Sequence, residues 1–381
     1  MPLDQYFTLG RSGLRVSRLA LGTMTFGKDW GWGADERVSR AMFDRYLAVG
    51  GNFIDTADLY TGGQSESLLG GFIADVGVRD RVVLTTKFTY NAESGNPNAG
   101  GNGRKNIVRA LEGSLRRLKT DYVDLYLLHT WDRVTPAEEV VRTLDDLVAA
   151  GKIRHAGLSD VPAWYASRIQ SLAQAHGLHQ LVNLQLQYSL VERNIEREFV
   201  PLAQELGYGI TAWSPLAMGL LSGKYRPGET GGDASGEGRL QLFKDGAIPA
   251  LEDKFTPRNF AIVAEVERIA KATGLSMPQV AIQWTARQPA IGSVILGART
   301  LEQFEDNLGA FDKPLPDEIL GRLDDLSALP QQVPYSFFEP THQVGIHGGV
   351  GVGDKPAGYA RPVWNEPAPQ PVYAPDTKAA A

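Results

Sequence analysis

The sequence predicts an α/β fold, a parallel (β/α)8 barrel, and three observations carry that prediction. Eight short apolar runs alternate with amphipathic segments of helical period along most of the 381 residues, which is the strand and helix count such a barrel requires. Three consecutive runs end in polar or charged residues: Asn52-Phe-Ile-Asp55, Val82-Val-Leu-Thr-Thr-Lys87 and Val123-Asp-Leu-Tyr-Leu-Leu-His129, with Tyr60 five residues beyond Asp55. A parallel barrel gathers such residues on one rim, where barrel enzymes build their sites. The first run leads into Leu21-Gly-Thr-Met-Thr-Phe-Gly27, which lacks the G-x-G-x-x-G turn that a doubly wound open sheet would want.

The elements follow in order. Residues 6–9 and 14–16 flank Gly10-Arg-Ser-Gly13, whose turn chemistry predicts a hairpin lid over 6–16. The strand candidates are 18–21, 52–55, 82–87, 123–129, 153–159, 181–186, 209–213 and 293–296. Val38, Met42, Tyr46 and Val49 form a helical stripe that Gly50-Gly51 ends; Ile107, Leu111, Leu115 and Leu118 form another. Thr135-Pro-Ala-Glu138 reads as a capping box with Pro at the first helical position, before the stripe Val140, Leu144, Leu147 and Val148. Thr300-Leu-Glu-Gln303 repeats that logic at the last barrel helix. The barrel domain is expected over 1–329, closing with a helix at 318–329. It is interrupted by a Gly-, Asp- and Glu-rich loop at 222–257, long enough to be functional. Residues 330–381 form an extension with nine prolines and several aromatics, for which no regular structure is expected.

Composition bounds the function. Hydrophobic content of 43% with 22% charged residues describes an ordinary globular protein. A net charge of −6 argues against nucleic acid, whose binders carry basic patches. No apolar run reaches the roughly 18 residues that span a bilayer, and the N-terminus lacks the pattern of a signal peptide, so a cytoplasmic location is expected. Zero cysteines exclude disulfides, thiolate metal ligands and a cysteine nucleophile, and no metal is expected.

The rim residues suit carbonyl chemistry. Ketone reduction needs an acid to protonate the developing alkoxide and groups that stabilise its charge. A phenol, with pKa near 10, titrates poorly at neutral pH; Lys87 beside Tyr60 would favour the phenolate, Asp55 would pair with Lys87, and His129 could donate to a carbonyl oxygen. Each also has an ordinary structural explanation: a rim aromatic, a snorkelling lysine, a turn cap, a satisfied polar group. Together, and in the right strand order, they favour a site.

With these motifs in hand, the chain resembles the aldo-keto reductase family over residues 6–329. The likeness rests on Gly51-Asn-Phe-Ile-Asp-Thr-Ala-Asp-Leu-Tyr60, Gly151-Lys-Ile-Arg-His-Ala-Gly-Leu-Ser159, Trp213-Ser-Pro-Leu216 with Gly219-Leu-Leu-Ser-Gly-Lys-Tyr225, and Leu296-Gly-Ala-Arg-Thr-Leu-Glu-Gln-Phe-Glu-Asp-Asn307. These are similar to the larger-loop branch that includes potassium-channel β-subunits. The resemblance implies a catalytic tetrad of Asp55, Tyr60, Lys87 and His129. It implies NADPH (NADP+) as cofactor, contacted by Thr23, Met24, Asp55, Ser159, Asp160, Gln185, Trp213, Ser214, Pro215, Leu216, Lys224, Gly297, Arg299, Thr300, Gln303, Asp306 and Asn307. Asp160 stands where the family has Asn; Asp accepts from an amide NH2 but cannot donate to its carbonyl. Asp306 replaces a usual Glu.

Some of these contacts also have a physical reading. A flat Trp213 could stack on a nicotinamide ring. Arg299, ahead of a helix N-terminus, offers a planar cation where phosphate is favoured, so NADPH is expected over NADH. Met24, Trp30, Trp32, Tyr60, His129 and Trp131 are expected to line the substrate mouth, which suits a bulky ketone, aldehyde or secondary alcohol. Two alternatives stand beside the reductase. One is a nucleotide-bound regulatory or redox-sensing subunit, against which the resemblance sets His129, since the channel subunits have another residue there. The other is an NAD(P)-dependent secondary-alcohol dehydrogenase working mainly in the oxidative direction. The partner is a small carbonyl or alcohol; a homo-oligomer is compatible with the sequence.

Overall fold

The computed structural model describes residues 3–225 and 254–350. A short antiparallel hairpin, β1 (Tyr6–Thr8) with β2 (Arg15–Ser17), precedes a closed barrel of eight parallel strands. The barrel strands are β3 (Leu19–Gly22), β4 (Phe53–Asp55), β5 (Val83–Phe88), β6 (Val123–Leu128), β7 (Ile153–Ser159), β8 (Asn183–Gln187), β9 (Gly209–Trp213) and β10 (Ile291–Leu296). Each pairs with the next in sequence, and β10 closes onto β3 with Val294 opposite Leu19. All eight strands fall where the sequence places them, with ends displaced by no more than two residues.

Helices α1 (Glu36–Ala48), α2 (Gln64–Val76), α3 (Arg104–Leu118), α4 (Ala137–Ala149), α5 (Ala163–His176) and α6 (Phe199–Leu206) each return the chain to the next strand. Among the described residues after β9 come α7 (Pro257–Thr273) and α8 (Met277–Ala286). After β10 come α9 (Leu301–Leu308) and α10 (Asp317–Ser327). Local chemistry starts several of them. Asp35 accepts from Val38 N at 2.9 Å ahead of α1, and Thr256 accepts from Asn259 N ahead of α7. Ser276 and Gln279 form a full capping box ahead of α8.

The boxes read at the other two sites are corrected. Thr135 does not cap α4, whose N-cap is Pro136; its hydroxyl donates to Asp132, and Asp132 also accepts from Val134 N and Thr135 N. A carboxylate three residues earlier outcompetes the helix for that hydroxyl. Thr300 does cap α9 through Gln303 N, but the Gln303 side chain accepts from Arg299 N rather than from Thr300 N, so the box is half formed.

Strand periodicity divides the core in two. Ile54, Leu84, Tyr126, Leu128, Leu158, Leu184, Ile210 and Ala212 face the helices and join their apolar stripes in one large cluster. Ala20, Phe53, Val83, Leu125, Leu127 and Val182 form a separate cluster with Leu9 and Val16 of the hairpin. The hairpin therefore closes the N-terminal mouth of the barrel, the end opposite the rim residues. Arg11 N donates to Gly207 O at 2.7 Å, and Gly10, with φ 56°, lies so close to Val182 and Gly209 that any Cβ would collide with backbone. Burial of each such side chain stabilises by roughly 1.5–3 kcal/mol.

Residues 328–350 belong to a separate compact unit. Here the expectation of no regular structure is corrected: a 3-10 turn over Tyr335–Phe337 and a short helix, α11 (Pro340–His347), are present. Tyr335 packs edge-on against Phe338, and Phe337 against His342. Most of the long loop (226–253) and the far tail (351–381) lie outside the described residues. No helix among the described residues is long and apolar enough to cross a membrane.

Candidate active site

Alternation along the strands selects the site. In β5, Val83, Thr85 and Lys87 point into the barrel; in β4, Phe53 and Asp55 do; beyond β6, His129 continues the parity of Leu125 and Leu127. Apolar residues fill the lower levels, and Asp55, Lys87 and His129 form part of the top one.

Lys87 is fully buried, at 0% exposure, and all three of its ammonium protons are used. Nζ donates to Asp55 Oδ1 at 2.7 Å, to Thr56 O at 2.8 Å and to the Tyr60 hydroxyl oxygen at 3.2 Å. Burial works against the ammonium charge, but Asp55 and Tyr60 outweigh it, so the lysine pKa ends above its ordinary value. The second oxygen of Asp55 accepts from Gln185 Nε2 at 2.8 Å, across the barrel. Because Lys87 donates to the phenol oxygen, the proton of Tyr60 is not spent on this contact.

The loop bearing Tyr60 is held rigidly. Tyr60 opens a 3-10 turn whose second residue, Thr61, has φ 46°. Thr61 donates to Phe26 O at 2.8 Å and accepts from Ser65 N at 3.1 Å, which ties the turn to the loop after β3 and to α2. Thr23 donates to Asp55 O and receives a bond from Ser65. It is a buried support behind the site and is not on the wall of the cleft.

The His129 ring stands edge-to-face with Tyr60 at 5.9 Å between centroids and with Tyr90 at 5.1 Å. Burial and then the charge of Lys87 push its pKa well below the ordinary histidine value, so the ring is neutral at neutral pH. Its Nδ1 is buried without a hydrogen-bond partner.

These residues sit at one end of a cleft of about 770 Å³. Asp55, Tyr60 and His129 line it together with Met24, Trp30 and Trp32, and Trp30 lies edge-on to Tyr60 at 6.4 Å. The wall continues through Ser159, Asp160, Gln185, Trp213, Ser214, Pro215, Leu216 and Lys224. Gly297, Arg299, Gln303, Asp306 and Asn307 complete the described lining, and Asp306 ties this part to the start of α8. Ser214, Ala217 and Met218 all have positive φ, and the Ser214 hydroxyl accepts from Met218 N at 3.1 Å to hold that turn. Asp160 Oδ1 accepts from Trp213 Nε1 at 3.2 Å; the residue is exposed to the cleft, yet the protein packed around it pushes its carboxyl up to about 7. Asp306 accepts from the Ser276 hydroxyl and from Gln279 Nε2, so part of its capacity is taken by the start of α8.

Besides Thr23, two expected wall residues lie elsewhere. Trp131 packs on Trp164 at 5.5 Å and Tyr165 at 6.1 Å, against α5. Thr300 spends its side chain on the cap of α9. Sequence reasoning missed Tyr90, which lines the cleft at 47% exposure. Its place three residues past Lys87, just beyond a strand end, was the available signal.

The arrangement fits a dinucleotide. A planar cation and a helix N-terminus suit phosphate, a flat indole lies in the wall, and a phenol beside a buried ammonium lines the same cleft. Such a set can bind a nucleotide and hold a proton next to its redox end.

The sequence profile of the Aldo/keto reductase family matches residues 18–328. The chain is similar to an uncharacterized oxidoreductase of Bacillus subtilis, 38% identical over 84% of this chain and 95% of that one. A probable voltage-gated potassium channel subunit beta of Oryza sativa is 37% identical over 81% of this chain and 91% of its own. A norsolorinic acid reductase of Emericella nidulans is 33% identical over 87% and 84%. On fold, motifs and relatives alike, the chain belongs to the aldo/keto reductase family.

Proposed function

We propose that the protein is a cytoplasmic NADPH-dependent reductase that interconverts a bulky ketone or aldehyde and its alcohol, with Tyr60 as general acid. The observation that supports this best is the buried chain from Asp55 through Lys87 to Tyr60, with contacts of 2.7 and 3.2 Å. An ammonium with no proton to spare and a carboxylate partner stays charged, and that charge stabilises the phenolate left when Tyr60 gives up its proton. His129, neutral by its surroundings, donates one N–H to the carbonyl oxygen and orients it. The bound nicotinamide would supply the hydride to the carbonyl carbon.

The chain's own residues would hold that nicotinamide as follows. Trp213 offers a stacking face, Gln185 and Ser159 offer polar groups for the carboxamide, and Lys224 reaches the pyrophosphate. Arg299 takes the 2′-phosphate beside the start of α9, with Asn307 at the adenine. Trp30, Trp32 and Tyr90 make the substrate mouth aromatic, which suits a bulky carbonyl.

The test is NADPH consumption by purified protein against a panel of ketones and aldehydes, followed by absorbance, with NADH in parallel. Turnover of at least one bulky carbonyl, faster with NADPH, is expected. The similarity to channel subunits favours a second reading, a nucleotide-bound regulatory subunit. Tight NADPH binding without turnover of any panel member would select it. Faster turnover of secondary alcohols with oxidised cofactor would select the dehydrogenase.

A further inference from the structure

Among the described residues three carboxylates line the cleft, and their surroundings differ. Asp55 is matched by Lys87 at 2.7 Å. Asp306 stands on α9 with Ser276 and Gln279 bonded to it. Asp160 meets a neutral donor, the indole N–H of Trp213, at 3.2 Å.

Its position is built. Asp160 follows the last residue of β7 with φ 44°, a left-handed backbone that a residue bearing a Cβ adopts only at a cost. Its carbonyl accepts from the Thr130 hydroxyl at 3.2 Å and Trp131 N at 3.5 Å, and its N–H donates to Gln185 O at 3.4 Å. Gln185 in turn donates to Asp55, so Asp160 is linked through Gln185 to the Asp55, Lys87 and Tyr60 cluster. The groups facing it from neighbouring elements are Lys87 of β5, Tyr90 beyond it, His129 beyond β6, Gln185 of β8 and Trp213 of β9. Lys87 is the cation among these, and its three protons are already directed to Asp55, Thr56 and Tyr60. His129 is neutral, and the Tyr90 phenol is raised first by burial and then by the charge of Asp160.

We propose that the Asp160 carboxylate discriminates between the oxidation states of the cofactor, holding the cationic oxidised nicotinamide in preference to the neutral reduced ring. The inference rests on the reading that this cleft takes a nicotinamide dinucleotide. A dinucleotide that puts its 2′-phosphate at Arg299 and stacks its redox ring on Trp213 would have that ring beside Asp160, which bonds the same indole. The two redox forms differ there by one positive charge, and a carboxylate whose direct partner is neutral interacts with that difference. Solvent reaches Asp160 through the cleft, yet the surrounding protein holds its carboxyl near 7, so ionisation falls within the working pH range. The sign follows by linkage: the preference is full above about pH 7 and fades below it as the carboxyl takes up a proton. Within the bound complex it favours the oxidised cofactor, and so alcohol oxidation, as pH rises.

The test is direct titration of the wild type and Asp160→Asn with NADP+ and with NADPH, by calorimetry. It is run about one to two pH units either side of the carboxyl's value near 7. Asn keeps the shape and an acceptor for Trp213. Titration of the phosphates is common to both nucleotides and cancels in the ratio of their Kd values. In the wild type, Kd for NADPH over Kd for NADP+ should rise roughly tenfold from the acid to the alkaline condition. In Asp160→Asn it should be lower and flat. A wild-type ratio that stays flat and equals that of the variant overturns the proposal, as does a variant that weakens both nucleotides equally. Failure of either nucleotide to bind the wild type overturns the nicotinamide reading beneath it.

Discussion

The two ends of the barrel are made by the same eight strands but obey different rules. At the N-terminal end, Leu9, Val16, Phe53, Val83, Leu125, Leu127 and Val182 fill the interior, and the hairpin closes it. Close approach there is met by glycine, as at Gly10. At the C-terminal end the inward residues become Asp55, Lys87, His129, Ser159, Gln185 and Trp213, and the strained backbone is carried by residues with side chains. Thr61, Thr89, Asp160, Ser214, Ala217 and Met218 all have positive φ there. Non-glycine residues in that region cost roughly 1–2 kcal/mol each. The floor carries such costs at Lys119 and Ala290, in the turns that feed β6 and β10, whereas at the rim three of these residues, Asp160, Ser214 and Met218, line the cleft. Substitutions at the floor should therefore cost stability, and those at the rim should cost function.

The largest expected effect is at the one rim residue that breaks this division. Lys87→Met leaves Asp55 buried without its cation, which costs about 3–5 kcal/mol of stability, and also removes the charge beside Tyr60. Denaturant unfolding and turnover should both fall; loss of turnover with unchanged stability would show that Asp55 finds another partner. Tyr60→Phe obeys the division. It should lower turnover by roughly 10²–10⁴-fold while NADPH affinity and melting temperature hold, because the phenol is partly exposed and its ring packing is kept. A variant with wild-type rate on an unactivated ketone would remove Tyr60 from the role of acid.

Gly10→Ala sharpens the comparison from the floor. Its Cβ would lie 2.4 Å from Val182 O and 2.6 Å from Gly209 N, both backbone atoms that cannot rotate away, at φ 56°. A loss of about 2–4 kcal/mol is expected, with nucleotide affinity unchanged because the cleft opens at the other end. Weakened NADPH binding at temperatures where the variant is folded would mean that the two ends are coupled.

Much of this contrast was legible in the sequence, for a physical reason. Strand residues alternate strictly, so an apolar run ending in Asp, Lys or His already states which side chains share the barrel interior with Phe53, Val83 and Leu125. That is why Asp55, Lys87 and His129 group together from the sequence alone. What escaped depends on competition between neighbours. Thr135 precedes a helix with Glu138 in register, yet Asp132 takes its hydroxyl. Trp131 follows a strand end as the others do, but α5 presents Trp164 and Tyr165 to it and turns it from the mouth. In the extension, the nine prolines argue against regular structure, although Pro340 stands where a short helix begins and Gly348 where it ends. Proline at the first turn and glycine just past the last are helix signals as much as loop signals.

Arg299 gives the smallest effect and the finest test of the rim's specialisation. It lines the cleft in the loop between β10 and α9, and its own N–H is held by the Gln303 side chain at 3.2 Å. If it contacts the 2′-phosphate, Arg299→Ala removes a charge-assisted bond that only NADPH can make. NADPH binding should weaken by about 1.5–3 kcal/mol, while NADH is nearly unaffected. Stability should hardly change, since the side chain is partly exposed and Thr300 still caps the helix. Measuring Kd for both nucleotides separates this from a general loss: equal weakening would mean that Arg299 only shapes the end of the cleft, and that preference for the phosphorylated cofactor, if present, is set elsewhere on the wall.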